Sequence, residues 1–474
     1  MAGTVAVVLA AGLGKRMRST HPKVTHQVGG EPIIRLVLRA LEPLDLEKIV
    51  VVVGHGADEV KRLVSKSAAA GRVQFAVQEE QLGTGHAALT GVQALGDFRG
   101  NVLLMNGDMP LITSGLLDRF LFIHESRGAA GTVLTTRMRD PSGYGRILRN
   151  EDGKVKGVRE DRDATDEERR INEINAGVFV FRQPPLEEAL SELRSDNDQG
   201  EYYLPDVIPA LLGKGHEVEA VMAEDSEITQ GVNSRAQLAQ CDATLRLKAT
   251  RALMAAGVTV LDPQNTHIGP EVKCGQDTVI LPFTVLRGRV TVGRDCVIGP
   301  GSYIVDSEIG DGSKVFYSVI EGSKVGQGVT VGPFSHLRPD SDVKDGARVG
   351  NFAEIKNSTI GLGTKVSHHS YIGDATLGDD VNVGAGVVFV NYDGVAKHHT
   401  AIGDGAFLGC NVNLVAPVTV EPGAYVAAGS TITHTVPAKA LGVARARQSN
   451  IEGWVDRKRS GDKTGSGRTE HRKS

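Results

Sequence analysis

The chain has 474 residues, 40% of them hydrophobic and 23% charged, which excludes both a small disulfide-stapled scaffold and a disordered chain and leaves room for two or three domains. Its 53 basic and 57 acidic residues give a formal charge of -4, which supplies no field for nucleic acid or an anionic membrane and points to small-molecule substrates. Glycine is the oddity: 58 residues against an ordinary usage of about 7%, beside 4% aromatics and only 18 prolines, so a folded, glycine-punctuated repeat is expected. Cys241, Cys274, Cys296 and Cys410 form no CxxC pair and read as free thiols of a reducing compartment. The apolar opening at 5–11 has no basic residue before it and a glycine loop after it, which predicts a buried strand rather than an export signal. No apolar run reaches 18 residues, so no membrane insertion is expected, and the protein is expected to be cytoplasmic.

In chain order, strands are predicted at 4–10, 48–53, 73–77, 101–105, 131–136, 145–149, 155–159 and 177–182, alternating with helical patterns over residues 1–232. That half is α/β. Residues 233–257 form a helical connector with a stripe of Leu238, Cys241, Leu245, Ala249 and Ala252 that ends before Gly257. Over 258–455 aliphatic residues recur every six positions, as in Ile268, Cys274, Ile280, Leu286, Val292, Ile298 and Ile304, with glycine most often next. A period of six suits a parallel β-helix of hexapeptide repeats, with one inward aliphatic per face, three hexads per coil and glycine turning the corners. The segment from Val390 to Ala401 breaks the rhythm and is expected to loop out. Residues 456–474, rich in Lys, Arg, Gly and Ser, are expected to form a disordered basic tail.

The strand at 4–10 runs into Leu9-Ala10-Ala11-Gly12-Leu13-Gly14-Lys15-Arg16-Met17, with Pro22-Lys23 following. Glycines after a strand let backbone N–H groups approach an anion, and a helix N-terminus is expected behind the loop. The third glycine of the dinucleotide fingerprint and the Gly-Lys-Ser/Thr of the P-loop are both missing, but Arg16 and Lys23 could neutralise a triphosphate. Asp108, after the strand at 101–105, is placed either to hold a divalent cation or to make a turn. Gln78, Gly83 and Thr84 could meet a nucleobase edge; alternatively Thr84 caps a helix.

In the repeat half, polar residues interrupt at His336-Leu337-Arg338, Asn351 to Lys356, His368-His369-Ser370-Tyr371, and Asn391, Tyr392 and Lys397. Residues 336–338 precede 354–356 by 18, and 354–356 precede 371–374 by about 17, so one coil per step stacks them into a candidate pocket. A histidine there suits deprotonation of an amine near neutral pH.

The Leu-x-x-Gly-x-Gly-x-Arg-Met run with its downstream Pro-Lys resembles the sugar-1-phosphate nucleotidyltransferases. With the hexapeptide half attached, residues 4–455 are similar to the bacterial bifunctional UDP-N-acetylglucosamine pyrophosphorylase and glucosamine-1-phosphate N-acetyltransferase family. The resemblance implies a Rossmann-like α/β uridyltransferase domain at 1–232, a linker at 233–257 and a left-handed β-helix acetyltransferase domain at 258–455. It implies that Leu9, Ala10, Ala11 and Gly12 contact UTP, with Arg16 and Lys23 on its phosphates and Gln78, Gly83 and Thr84 by the uracil. Gly145, Glu160 and Asn175 would hold the sugar, with Asn233 also at this nucleotide and sugar site, and Asp108 and Asn233 would bind Mg2+. In the second half it implies His368 as the base, which Glu354 could orient. Arg338 and Lys356 would hold the sugar phosphate, and Tyr371, Asn382 and Lys397 would line the acceptor site. Acetyl-CoA would meet Asn391, Tyr392, Cys410, Ala428 and Arg445, with the projecting loop reaching a neighbouring subunit of a homotrimer. Two positions depart from the resembled pattern: Asn106 stands where it has Tyr, and Cys410 where it has Ser. The alternatives are a single-activity nucleotidyltransferase whose β-helix only trimerises or regulates, and a non-catalytic scaffold, which leaves Arg16, Lys23 and Asp108 without a purpose.

Overall fold

The structure is a computed structural model that describes residues 3–460. The chain divides into two compact units, one up to Ser307 and one from Glu308.

The first unit is built on a mixed sheet in the order Val218–Met222, Gly131–Arg137, Glu173–Arg182, Asn101–Asn106, Thr4–Leu9, Lys48–Val53, Val73–Val77, with Arg146–Arg149 pairing to the start of Glu173–Arg182 and Val155–Arg159 pairing to Arg146–Arg149. Thr4–Leu9 runs parallel to both neighbours, Val7 lying opposite Val50 and Leu104. Such a strand needs cover on both faces. Ala6 and Val8 pack with the helices Ile33–Leu41 and Ser114–Arg127, while Val5 and Val7 pack with Thr84–Gln93, Gln183–Ser191 and Val207–Gly213.

Two strands differ from expectation. The one expected at 177–182 is ten residues long, Glu173–Arg182, and antiparallel, with an irregularity between Asn175 and Phe179 where Gly177 takes φ +75°. Such a bulge re-aims the residues beside it. Val218–Met222 went unseen because its short, half-buried Val-Glu-Ala-Val-Met pattern resembles a loop.

The connector is the helix Arg235–Ala255, whose first turn is capped by Ser234 accepting from Gln237 N (3.2 Å). The unit boundary falls beyond it, because the first coils pack with this helix, with the hairpin at 27–32 and with the helix Ile33–Leu41. Gly29 N donates to Asp242 Oδ1 (2.8 Å), Arg287 Nη2 donates to Gln27 Oε1 (2.9 Å), and Arg39 pairs with Glu271.

The second unit is a parallel β-helix of two- to four-residue strands. On one face the register runs Val319, His336, Glu354, Tyr371, Val388, Asn413, Thr431, so each step is 17 or 18 residues except the 25 that spans the projecting segment. Ile320, Leu337, Ile355, Ile372, Phe389, Leu414 and Ile432 form the buried column behind that face. Glycine plays two parts here, and corners are only one. Left-handed corner conformations are taken by Tyr317, Phe334, Phe352, Asn357, His369, Asp374 and Asn411 as well as by glycines such as Gly363. Many glycines after the aliphatic position instead mark where coils touch: a Cβ on Gly384 would lie 2.7 Å from Cys410 N.

The expected disordered tail begins as a short helix, Trp454–Arg459, and residues 461–474 lie outside the described residues. Among the described residues no helix is long and apolar enough to cross a membrane.

Candidate active sites

The ends of the parallel strands gather the first site. Ala10 N donates to Val52 O (2.8 Å) and Gly107 N to Leu9 O (2.9 Å), which locks the glycine loop beside Asp108. Ala10 and Ala11 are buried, Leu9 is half-buried, and Gly12 and Arg16 are exposed. Gly14 has φ +59°, and a Cβ there would lie 2.9 Å from that of Lys23, so this turn requires glycine.

The helix expected behind the loop is absent. A single 3-10 turn, Lys15–Met17, follows, because Gly14 and Arg18 flank it in left-handed conformations, and the first α-helix starts at Ile33. The groups this loop offers an anion are therefore backbone N–H groups and the charges of Arg16 and Lys23, without a helix dipole.

Lys23, Asp108 and Asn233 converge from distant parts of the chain. Lys23 Nζ pairs with the buried Asp108 carboxylate and donates to Asn233 Oδ1 (3.0 Å), while Val232 N donates to Asp108 O (2.9 Å). Two oxygens thus face one cationic atom, and oxygens of this kind could also serve a hard divalent cation.

Gln78 is buried, with Nε2 3.3 Å from Gly83 O and 3.0 Å from His86 Nδ1. Thr84 caps no helix: it is the first residue of Thr84–Gln93, and its hydroxyl accepts from Leu204 N (3.1 Å). The wall formed there by Glu201 to Leu204 escaped sequence reasoning. Gly85 N donates to Tyr202 O (2.7 Å), and Gly83 has no room for a Cβ against the Tyr202 backbone.

At the opposite end Asn175 N donates to Gly145 O (2.8 Å), and Asn175 Oδ1 accepts from Gly177 N (2.8 Å). A side chain at Gly177 would collide with Asn106, so the bulge brings Asn106 and Asn175 to one place. Glu160 faces Gly145, and burial first, then Asp206, Asp163 and Asp161, push its carboxyl up to about 7 against the pull of Arg146. Arg146 is itself buried and paired with Asp161 at 2.9 Å.

The second site lies in the β-helix unit. Register stacks His336, Glu354 and Tyr371 on successive coils, and Arg338 Nη1 donates to Glu354 Oε1 (2.9 Å). Glu354 therefore holds Arg338. The exposed His368 ends the strand Lys365–His368 on the adjacent face, opposite Asn351. Next to it His369 ends a column of stacked rings, 4.9 Å from Phe352, which stacks at 5.4 Å on Phe334 and through it on Tyr317. Asn382 lies opposite Lys365, on a different face from Arg338, Lys356 and Tyr371, so one chain does not unite the whole predicted acceptor set.

The segment expected to loop out does so as a closed hairpin. Tyr392 pairs with Lys397, Tyr392 OH donates to Gly394 O (2.7 Å), and Asp393 accepts from Val395 N (2.8 Å) and Ala396 N (2.7 Å). Asn391 does not project with it. It is buried at the loop's root, with Nδ2 donating to Asp374 Oδ2 (2.5 Å) and lying 3.4 Å from Tyr371 OH. Asp374, absent from the sequence-derived set, is the hub of this cluster. Its Gly373-Asp374 pair has no feature that separates it from ordinary repeat turns such as Gly310-Asp311. Cys410, Ala428 and Arg445 form a column: Gly429 N donates to Cys410 O (2.9 Å) and Arg445 Nη1 to Ala428 O (3.1 Å). All four cysteines are free, and Cys410 is exposed.

Residues 6–201 match the model of MobA-like NTP transferase domains, residues 271–305 that of bacterial transferase hexapeptides (six repeats), and residues 399–434 that of the hexapeptide repeat of succinyl-transferases. The chain is 48% identical to the bifunctional protein GlmU of Halalkalibacterium halodurans over 97% of its own length and 100% of the relative's. It is 48% identical to that of Caldanaerobacter subterraneus subsp. tengcongensis over 95% of the chain and 97% of the relative, and 46% identical to that of Shouchella clausii over 96% and 99%. The chain belongs to the bifunctional GlmU family. It is a uridyltransferase and an acetyltransferase of UDP-N-acetylglucosamine synthesis, a cell-wall precursor route, and joins a nucleotidyltransferase fold to a left-handed parallel β-helix of hexapeptide repeats. GlmU membership also disposes of a β-helix that merely trimerises and of a non-catalytic scaffold.

Proposed function

We propose that the two activities occupy the two sites just described, uridyl transfer at Lys23, Asp108 and Asn233 and acetyl transfer around Arg338, Lys356, Tyr371 and His368. The observation that carries the first assignment is the convergence of three polar side chains, from positions 23, 108 and 233, at the mouth of the glycine loop. There Asp108 and Asn233 would hold Mg2+, which supplies positive charge to the phosphates of UTP. Gln78, Gly83 and Thr84 face the uracil, Arg16 and Lys23 the phosphates, and Gly145, Glu160 and Asn175 the sugar. The phosphate oxygen of N-acetylglucosamine-1-phosphate attacks the α-phosphorus of UTP in line as the bond to the β-phosphate breaks, and pyrophosphate leaves. The protein's part is alignment and charge neutralisation.

In the β-helix His368 takes the proton from the ammonium of glucosamine-1-phosphate. The freed amine attacks the thioester carbonyl of acetyl-CoA, the C–S bond breaks, and CoA leaves as the thiol. Arg338 and Lys356 hold the acceptor's phosphate, and acetyl-CoA lies along Cys410, Ala428 and Arg445. Because His368 and Asn382 stand on faces other than that of Lys356 and Tyr371, a second copy of the chain completes the site, with the exposed Tyr392 hairpin reaching across in a homotrimer. We place the enzyme in the cytoplasm, where UTP, acetyl-CoA and reduced thiols coexist.

The test is an assay of Asp108→Ala and His368→Ala with glucosamine-1-phosphate, acetyl-CoA, UTP and Mg2+, following acetyl and uridyl transfer separately. Each variant should lose one activity and keep the other. Full uridyl transfer by Asp108→Ala, or full acetyl transfer by His368→Ala, removes the corresponding assignment.

A further inference from the structure

Where the projecting hairpin leaves the prism, one carboxylate is bound on two sides and faced by two ammonium groups. Asp374 sits at a corner with φ +51°; its N–H donates to Lys356 O on the preceding coil (3.1 Å), and its carbonyl accepts from Thr400 N beyond the loop (3.2 Å). Its Oδ1 accepts from Asn357 Nδ2 (2.6 Å) and its Oδ2 from Asn391 Nδ2 (2.5 Å). The preceding Gly373 leaves the space for this: a Cβ there would lie 2.5 Å from Tyr371 OH and 2.6 Å from Asn391 Nδ2.

The charges around Asp374 are unbalanced without it. Burial raises its carboxyl, but hydrogen bonds from Asn357 and Asn391 and the charges of Lys397 and Lys356 outweigh that and lower it. Lys397 is lowered by its contact with Lys356 and by that residue's charge, with Asp374 and Tyr371 pulling the other way. The two lysines are thus neighbours that repel, and Asp374 is the carboxylate that offsets the repulsion.

We propose that Asp374 is a positioning residue of the acetyl-transfer site: it ties the root of the hairpin to the coil below and holds Lys356 and Lys397 side by side for the acceptor's phosphate. This rests on the assignment of Lys356 to that phosphate. A phosphate monoester dianion matches two adjacent ammonium groups, and a neutral acceptor would gain nothing from them.

The experiment uses the full chain carrying Asp374→Asn, Asp374→Glu or, separately, Lys356→Ala. It measures kcat and the KM values for glucosamine-1-phosphate and acetyl-CoA from about pH 6 to 9, with the melting temperature of each variant. Asp374→Asn should raise the glucosamine-1-phosphate KM about tenfold, the weight of one charge-assisted contact, with the acetyl-CoA KM and the melting temperature little changed. The alkaline rise of that KM should move to lower pH, because Lys397 loses its proton sooner once its counter-charge is gone. Asp374→Glu, which restores the charge, should recover most of the loss. An unchanged KM and pH profile in Asp374→Asn, with a raised KM in Lys356→Ala, overturns the role of Asp374 and leaves the phosphate site standing. An unchanged KM in Lys356→Ala overturns the phosphate site itself. Equal rises in both KM values together with a lower melting temperature show a purely structural role and also overturn the proposal.

Discussion

The two halves of this enzyme use the same backbone device, the parallel ladder, to build sites in opposite ways. In the α/β sheet each parallel step needs a crossover of tens of residues, so Asp108 and Asn233 meet Lys23 although they lie 85 and 210 residues from it along the chain. In the β-helix each step is one coil, so His336, Glu354 and Tyr371 meet at intervals of 18 and 17 residues. A site made by crossovers tolerates change between its members but depends on the whole sheet. A site made by stacking depends on local register, and a loop of extra residues can be inserted at one corner without disturbing the coils on either side.

This contrast can be broken most directly by crossed loss of function. His368→Ala should cost about 10²–10⁴-fold in acetyl transfer, the range of a lost general base, with uridyl transfer intact. Asp108→Ala should cost uridyl transfer at least ~100-fold, as expected when a metal ligand is removed, with acetyl transfer intact. Loss of both activities in either variant would mean the halves are not independent.

Stability should separate the halves as well. Phe389 is fully buried in the aliphatic column beside the hairpin, and Phe389→Ala should destabilise by about 3–5 kcal/mol. Because repeat arrays unravel locally, acetyl transfer should fail on heating before uridyl transfer does, and simultaneous loss would show a single cooperative unit.

Glu160 gives a titration confined to the α/β half. Its folded pKa of about 7 lies above the ordinary 4.5, so the cost of the buried charge is absent below about pH 4.5 and complete above about pH 7. Glu160→Gln should therefore stabilise the protein by about 3 kcal/mol at pH 8 and hardly at all at pH 4.5, read by denaturant unfolding, while weakening sugar binding. A stabilisation independent of pH would contradict this.

The smallest effect is chemical. Burial pushes the Cys241 and Cys274 thiols up to about 12, which leaves them unreactive at neutral pH, whereas Cys410 is exposed beside Ala428 and Arg445. Mild alkylation should reduce acetyl transfer several-fold and spare uridyl transfer, and equal loss of both would refute the placement of acetyl-CoA.

Much of this was legible in the residues, and the failures have specific causes. The strands at 48–53, 73–77 and 155–159 lie where their β-branched runs placed them. The helix expected after Gly14 is missing because two left-handed residues bracket its first turn, a local conformation that no periodicity reveals. Asn391 turns inward at the root of the loop instead of projecting with it, because its amide finds Asp374 across one coil. Asp374 itself is invisible in sequence, since the repeat uses Gly-Asp at many corners and only one of them lies under a projecting hairpin.

The sequence by itself determined the two architectures, because a six-residue aliphatic period and alternating apolar runs each bury their side chains in only one way, and it nominated the candidate site residues through motif, spacing and family resemblance. Only the tertiary structure decided which of them face one another: Lys23 between Asp108 and Asn233, Glu354 on Arg338, Asn391 on Asp374. The physical reason is that a hydrogen bond or an ion pair forms between side chains a few ångströms apart, and that proximity is set by sheet order, bulge and corner rather than by distance along the chain.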